Sequence, residues 1–106
     1  MSSAYRRFEI LLPLKFNDGT PVPDELIADA ILELRQQFDA VSWQSDPIRG
    51  EWVYESQVYR DENTRVFVDV PDTADTREFF AAFKETLKQR FHQLDIWITT
   101  YPIEVL

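Results

Sequence analysis

The stretch Thr64-Arg65-Val66-Phe67-Val68-Asp69-Val70-Pro71-Asp72-Thr73, with the Phe79, Phe83 and Leu87 that follow it, changes hydrophobic period part-way and so decides the fold. Up to Val70 apolar residues alternate, as in a strand with one buried face. Pro71-Asp72-Thr73 stops that strand and opens a helix, with Asp72, Thr73 or Asp75 available as N-cap. Beyond it Phe79, Phe83 and Leu87 lie four apart on one helical face, which Phe80 and Phe91 widen. A strand running directly into an amphipathic helix is half of a βαβ-type unit.

Working outward, the same pair of periods occurs earlier. Phe8, Ile10, Leu12 and Leu14 alternate within a strand expected over residues 5–14, with Tyr5, Arg7, Glu9 and Leu11 on its other face. Pro13 marks a strand end or a bulge, because proline cannot donate to a ladder. Asn17-Asp18-Gly19 supplies turn chemistry. Leu26, Ile27, Ala30, Ile31, Leu34 and Phe38 then define a helix beginning around Pro23 and ending near Gln37 or Phe38. Residues 41–45 read as a short strand, residues 46–50 as a turn or bulge, and residues 52–60 as a longer strand. Asp61-Glu62-Asn63 is polar and turn-like, so the simplest assembly pairs residues 52–59 with 65–70 as an extended hairpin. Asp95 to Tyr101 is the last strand, before Pro102.

Strand, helix, two strands, helix, strand predicts an α+β fold: the ferredoxin-like split βαβ sandwich, an antiparallel sheet with two helices on one face. The whole chain of 106 residues is expected to form one domain. The layout resembles a family of small uncharacterised bacterial proteins of this plan. Its marks here are Gly50-Glu51-Trp52, Val66-Phe67-Val68-Asp69-Val70, Lys88-Gln89-Arg90-Phe91 and Pro102. The resemblance implies the fold and carries over no function.

Composition excludes several chemistries. The chain contains no cysteine, which removes disulfides, thiol catalysis and cysteine-ligated metals. No signal-peptide h-region follows Met1, and no apolar run approaches the ~20 residues of a membrane span. The expectation is a cytoplasmic protein without membrane association. Nineteen acids against eleven bases give a net charge of −8, a field that repels phosphate backbones. Nucleic-acid binding is therefore not expected, although Arg6, Arg7, Arg49 and Arg65 would carry it. Lys84, Lys88 and Arg90 suit the negative end of the second helix.

Catalytic candidates are sparse. His92 is the single histidine and would need an orienting carboxylate such as Asp95 to act as a base; its place after a helix also suits capping. Asp69, Asp72 and Asp75 recur every three residues but lack the glycine and terminal glutamate of a calcium loop, and helix capping accounts for two of them. Glu51, Glu55, Asp61 and Glu62 read as solvated charge on an exposed hairpin, with Glu51 and Glu55 on one strand face. The Asn17-Asp18-Gly19-Thr20 loop has one glycine, too few for a phosphate cradle. No metal or cofactor is expected.

The anomaly is an aromatic surplus in the strands. If the aliphatic sets face the helices, Tyr5, Leu11, Trp97 and Tyr101 fall on the sheet's open face, unless the hairpin or the C-terminal tail folds back over them. Tyr5, Arg7, Trp52, Trp97 and Tyr101 then form a binding surface, with Arg7 as its polar contact. The expected function is a non-enzymatic interaction protein that associates with itself, as a homodimer, or with another protein. The alternative is a small-molecule binder or enzyme of the dimeric α/β-barrel type, with His92, Asp69 or Glu55 as its polar group.

Overall fold

Alternation in the first strand meets the helical stripes as its period demands. In the computed structural model, which describes residues 4–44 and 46–106, the elements are β1 (Tyr5–Pro13), α1 (Asp24–Phe38), β2 (Ser42–Trp43), β3 (Ile48–Tyr54), β4 (Gln57–Pro71), α2 (Ala74–Arg90) and β5 (Trp97–Ile103). The sheet is antiparallel throughout. β1 lies between β4 and β5, and both β2 and β3 pair with the far side of β4. Ser45, the expected end of the short strand, and residues 1–3 lie outside the described residues.

Phe8, Ile10 and Leu12 of β1 and Val66, Val68 and Val70 of β4 point to one side and are buried beneath both helices. Ala30 and Leu34 of α1 and Phe80, Phe83 and Leu87 of α2 close over them. Phe8 and Phe80 stack with ring centroids 4.0 Å apart, and Phe38 extends the stack at 5.5 Å from Phe80. Thr73 caps α2, its hydroxyl accepting from the Thr76 N–H at 3.1 Å. Pro23 sits just before α1 rather than in its first turn, leaving Asp24 and Glu25 to meet the helix dipole. Pro13 ends β1, and Pro102 lies within β5, a sheet edge where a missing N–H breaks no second ladder.

The middle of the chain departs from expectation. The hairpin turn is Glu55-Ser56, not Asp61-Glu62-Asn63, and β3 pairs with the first half of β4, Tyr54 opposite Gln57 and Ile48 opposite Asn63. Residues 65–70 pair instead with β1. Glu55 and Ser56 both adopt left-handed backbone, φ 49° and 63°, the requirement of a two-residue turn whose twist matches the strands. Neither is the glycine or asparagine that usually announces such a turn, so the break in the run from Trp52 to Arg60 gives no local sign. The turn also separates Glu55 from the strand face it was expected to share with Glu51.

β4 is therefore 15 residues long. Its second half lies in the sheet under the helices. Pro13 opposite Asn63 is the last β1 pair, so beyond it β3 and β4 continue as a two-stranded arm. The molecule measures 50 × 30 × 25 Å along its principal axes.

Candidate interaction surface

Register assigns the open face residue by residue. β1 contributes Tyr5, Arg7, Glu9 and Leu11, β4 contributes Arg65, Phe67 and Asp69, and β5 contributes Trp97, Thr99 and Tyr101. Arg7 stands between Asp69 and Tyr101, and Leu11 between Arg65 and Trp97. The centre of this face is a strip of paired charge. Arg7 grips Asp69 through two N–H···O contacts of 2.7 and 2.9 Å. Arg65 holds Glu9 with both arms of its fork, its Nε at 3.2 Å. The Tyr101 hydroxyl donates to the same Glu9 carboxylate at 2.9 Å. Both guanidinium groups lie 4.4 Å from the centre of the Phe67 ring, within cation–π range.

These contacts set the local electrostatics. The Arg65 guanidinium, helped by the Tyr101 hydroxyl, holds the Glu9 carboxyl below the usual carboxylate range. Asp69 raises the Arg7 guanidinium above its ordinary value. The strip is thus internally neutralised, and Arg7 is not a free cation on the surface. What remains open to a partner is aromatic: Trp97 is 64% exposed, and Tyr5 and the ring of the hydrogen-bonded Tyr101 are also exposed. Among the described residues neither the arm nor the C-terminal tail lies over them. Glu9 was expected on this face though not among its binding residues; Arg65 and Phe67 were not expected on it. Strand parity alone marks them, since Phe67 must point outward once Val66 and Val68 point in.

The arm continues the surface. Trp52 lies opposite Tyr59 and the rings stack at 4.4 Å. Tyr54 follows on the same face, while Val53 and Val58 form a directly opposed pair on the other. Val53 is 67% exposed, and Trp52, Tyr54 and Val58 are about half exposed, so the arm shows apolar side chains on both faces. At Gly50 a Cβ would stand 2.5 Å from an Asp61 carboxylate oxygen, the end of an exposed side chain free to swing aside, so packing does not demand glycine there. Where the arm leaves the sheet there are two clefts. One, of about 750 Å³, runs past Lys15, Phe16 and Arg49 to Trp52; the other, of about 340 Å³, lies between Trp52 and Trp97 over Leu11 and Ile48.

The remaining candidates are engaged elsewhere. His92 occupies a left-handed position just past α2, φ 54°, and the N–H of Gln93 closes the helix end on the Lys88 carbonyl at 2.9 Å. Its ring packs against Phe16 at 5.2 Å, while Asp95 pairs with Lys84 at 2.9 Å. Asp72 takes Arg6 and Arg77 at 3.1 and 3.2 Å, so it and Asp69 each serve arginines. Among the described residues no group of three histidine or acidic side chains converges for a metal. Arg49 and Glu62 approach to 3.7 Å, Arg60 and Glu51 to 3.2 Å. All four arginines considered for nucleic acid thus face carboxylates. Lys88 pairs with Glu85, and Arg90 with Glu33. Asp18 folds its loop by accepting from the Thr20 N–H and hydroxyl.

No family model and no curated protein matches the chain. Solved structures do. A phage SAM lyase in complex with S-methyl-5'-thioadenosine superposes with a TM-score of 0.71 at 13% identity, covering 99% of this chain and 93% of that one. The divalent cation tolerance protein CutA1 from Thermus thermophilus gives 0.65 at 16% identity, with 95% and 85% covered. The periplasmic divalent cation tolerance protein CutA from Archaeoglobus fulgidus gives 0.64 at 16%, with the same coverage. The fold is ferredoxin-like. At these identities the likeness shows the fold alone. No helix among the described residues is long and apolar enough to cross a membrane.

Proposed function

We propose that this protein is a non-enzymatic, self-associating module that uses its open sheet face and its arm to bind further copies of itself. The observation that carries this reading is the arm. A two-stranded hairpin is marginal in water on its own, and this one presents Val53 and Val58 on one side and Trp52 and Tyr54 on the other. Such an arm needs covering on both sides, and among the described residues its own chain covers neither. Trp97, Tyr101 and Tyr5 extend the apolar area onto the sheet, where the neutralised Arg7–Asp69 and Arg65–Glu9 pairs can enter an interface without leaving a charge unpaired.

Sedimentation velocity at micromolar concentration tests it. The wild-type chain is expected to sediment as an assembly heavier than its 12.6 kDa monomer. Trp52→Ala and Trp97→Ala are each expected to shift it toward monomer. A wild-type chain that stays monomeric to several hundred micromolar overturns the proposal.

One observation favours a second reading, that of a small-molecule binder. The cleft of about 340 Å³ between Trp52 and Trp97 offers two indoles with Asp61 and Asn63 on its wall, and is of a size for a small flat ligand. The likeness to a lyase solved with S-methyl-5'-thioadenosine makes that nucleoside the first probe. Quenching of tryptophan emission on titration supports this reading; an unchanged spectrum at millimolar nucleoside removes it.

A further inference from the structure

A protruding arm needs a receiving surface, and this chain carries one that the described residues leave empty. α1 and the two-residue β2 enclose a groove of about 530 Å³ bordered by Leu14, Ile27, Ile31, Leu32, Val41 and Trp43. It lies on the helix side of the sheet, because Trp43 pairs with Val66, whose side chain is in the core. Leu32 and Trp43 are exposed along it. β2 is too short to fill the flank of α1, which leaves the apolar stripe of that helix wider than the sheet beneath it.

Charge supplies the second argument. Asp24 and Arg35 also line the groove, near opposite ends of α1. Eleven residues of helix separate them by about 17 Å. Among the described residues neither forms an ion pair. On the arm, Glu55 at the tip is likewise unpaired among the described residues, and Arg49 is 82% exposed, held only by a 3.7 Å approach to Glu62. Six extended residues place those two about 20 Å apart. The arm laid with β3 running parallel to α1 brings Glu55 to Arg35 and Arg49 to Asp24, with its apolar residues over Ile27, Ile31 and Leu32.

We propose that the arm of one copy seats in the α1–β2 groove of the next. This rests on the self-association reading and names the receiving surface, which is not the open sheet face. Arm and groove are different patches of one chain, so the contact is heterologous, and repetition of it closes a ring if the rotation permits. The second apolar face of the arm is then free to meet the sheet of a neighbour.

Charge reversal across the contact, read by sedimentation, tests the pairing. Glu55→Arg and Arg35→Glu are each expected to weaken self-association at least tenfold, because each sets two like charges together. The double variant is expected to recover to within about threefold of wild type. Both positions are exposed, and an unchanged thermal midpoint shows that each variant folds. Position is checked independently, since the chain has no cysteine of its own. Glu55→Cys protein mixed with Arg35→Cys protein and mildly oxidised is expected to yield the mixed cross-linked dimer. If Trp52→Ala dissociates the assembly while Arg35→Glu leaves it intact, or if no mixed dimer forms, the arm docks elsewhere: this inference falls and self-association stands. A monomeric wild-type chain removes both.

Discussion

β4 passes through two environments, and its two halves obey different rules. From Thr64 to Val70 every second residue is buried, because helices cover one face and β1 supplies a neighbour. From Gln57 to Asn63 the same strand has β3 beside it and no helix over it, and no residue there is buried. Alternation in the first half is thus a consequence of having one covered face. The arm has none, and accordingly places apolar residues on both sides. The difference teaches that the body is specified by its own core, whereas the arm finds no such cover among the described residues; on the self-association proposed above, a neighbouring copy supplies it.

The largest expected effect breaks the body. Phe80 is buried between Phe8 and Phe38, so Phe80→Ala should cost about 3–5 kcal/mol in denaturant unfolding. Val53→Ala removes an apolar side chain of the arm and should change the stability of the dilute chain by no more than about 0.5 kcal/mol. Equal costs would show that the arm is packed in the isolated molecule, and the distinction between the halves would fail.

A smaller effect separates the polar strip from the core. Glu9 is held below the usual carboxylate range by Arg65, so the folded chain binds its proton more weakly than the unfolded chain does. The stabilisation is therefore present above the unfolded pKa and is lost as pH falls through the folded one. Glu9→Gln should cost about 1–2 kcal/mol at neutral pH. That gap should begin to narrow below about pH 4 and close at lower pH. A cost independent of pH would mean that packing against Phe67, not the charge on Glu9, holds the strip.

The body was legible in the sequence and the arm was not, for one physical reason. Phe8, Ile10 and Leu12, the Val66–Val70 alternation and the Phe80–Leu87 stripe all answer to a helix–sheet core, so their period carries the fold. The turn at Glu55-Ser56 rests on left-handed backbone at residues that do not advertise it, and the polar Asp61-Glu62-Asn63 offered a false alternative. Trp97 and Tyr101 could be placed on the open face from parity alone. The pairing of Arg7 with Asp69 could not, because it needs the register between β1 and β4 that the misplaced turn obscured. Arg7 therefore read as a free polar contact when its fork is occupied.

The smallest expected effect acts on the arm alone. Ser56 is held at φ 63°, a region that costs an L-residue with a side chain about 1 kcal/mol or more and glycine little. Part of the gain from Ser56→Gly is returned as extra freedom of the unfolded chain, leaving about 0.5 kcal/mol of net stabilisation. Glu55 is untouched, so the charge at the tip is preserved. Amide exchange at Tyr54, Gln57 and Tyr59, whose N–H groups face the partner strand, should slow about twofold, while the exchange of Val66 and Val68 stays as it was. The two halves of β4 would then be shown to open separately. Slower exchange at Val66 and Val68 as well would show that arm and body open as one unit, and would erase the difference between them.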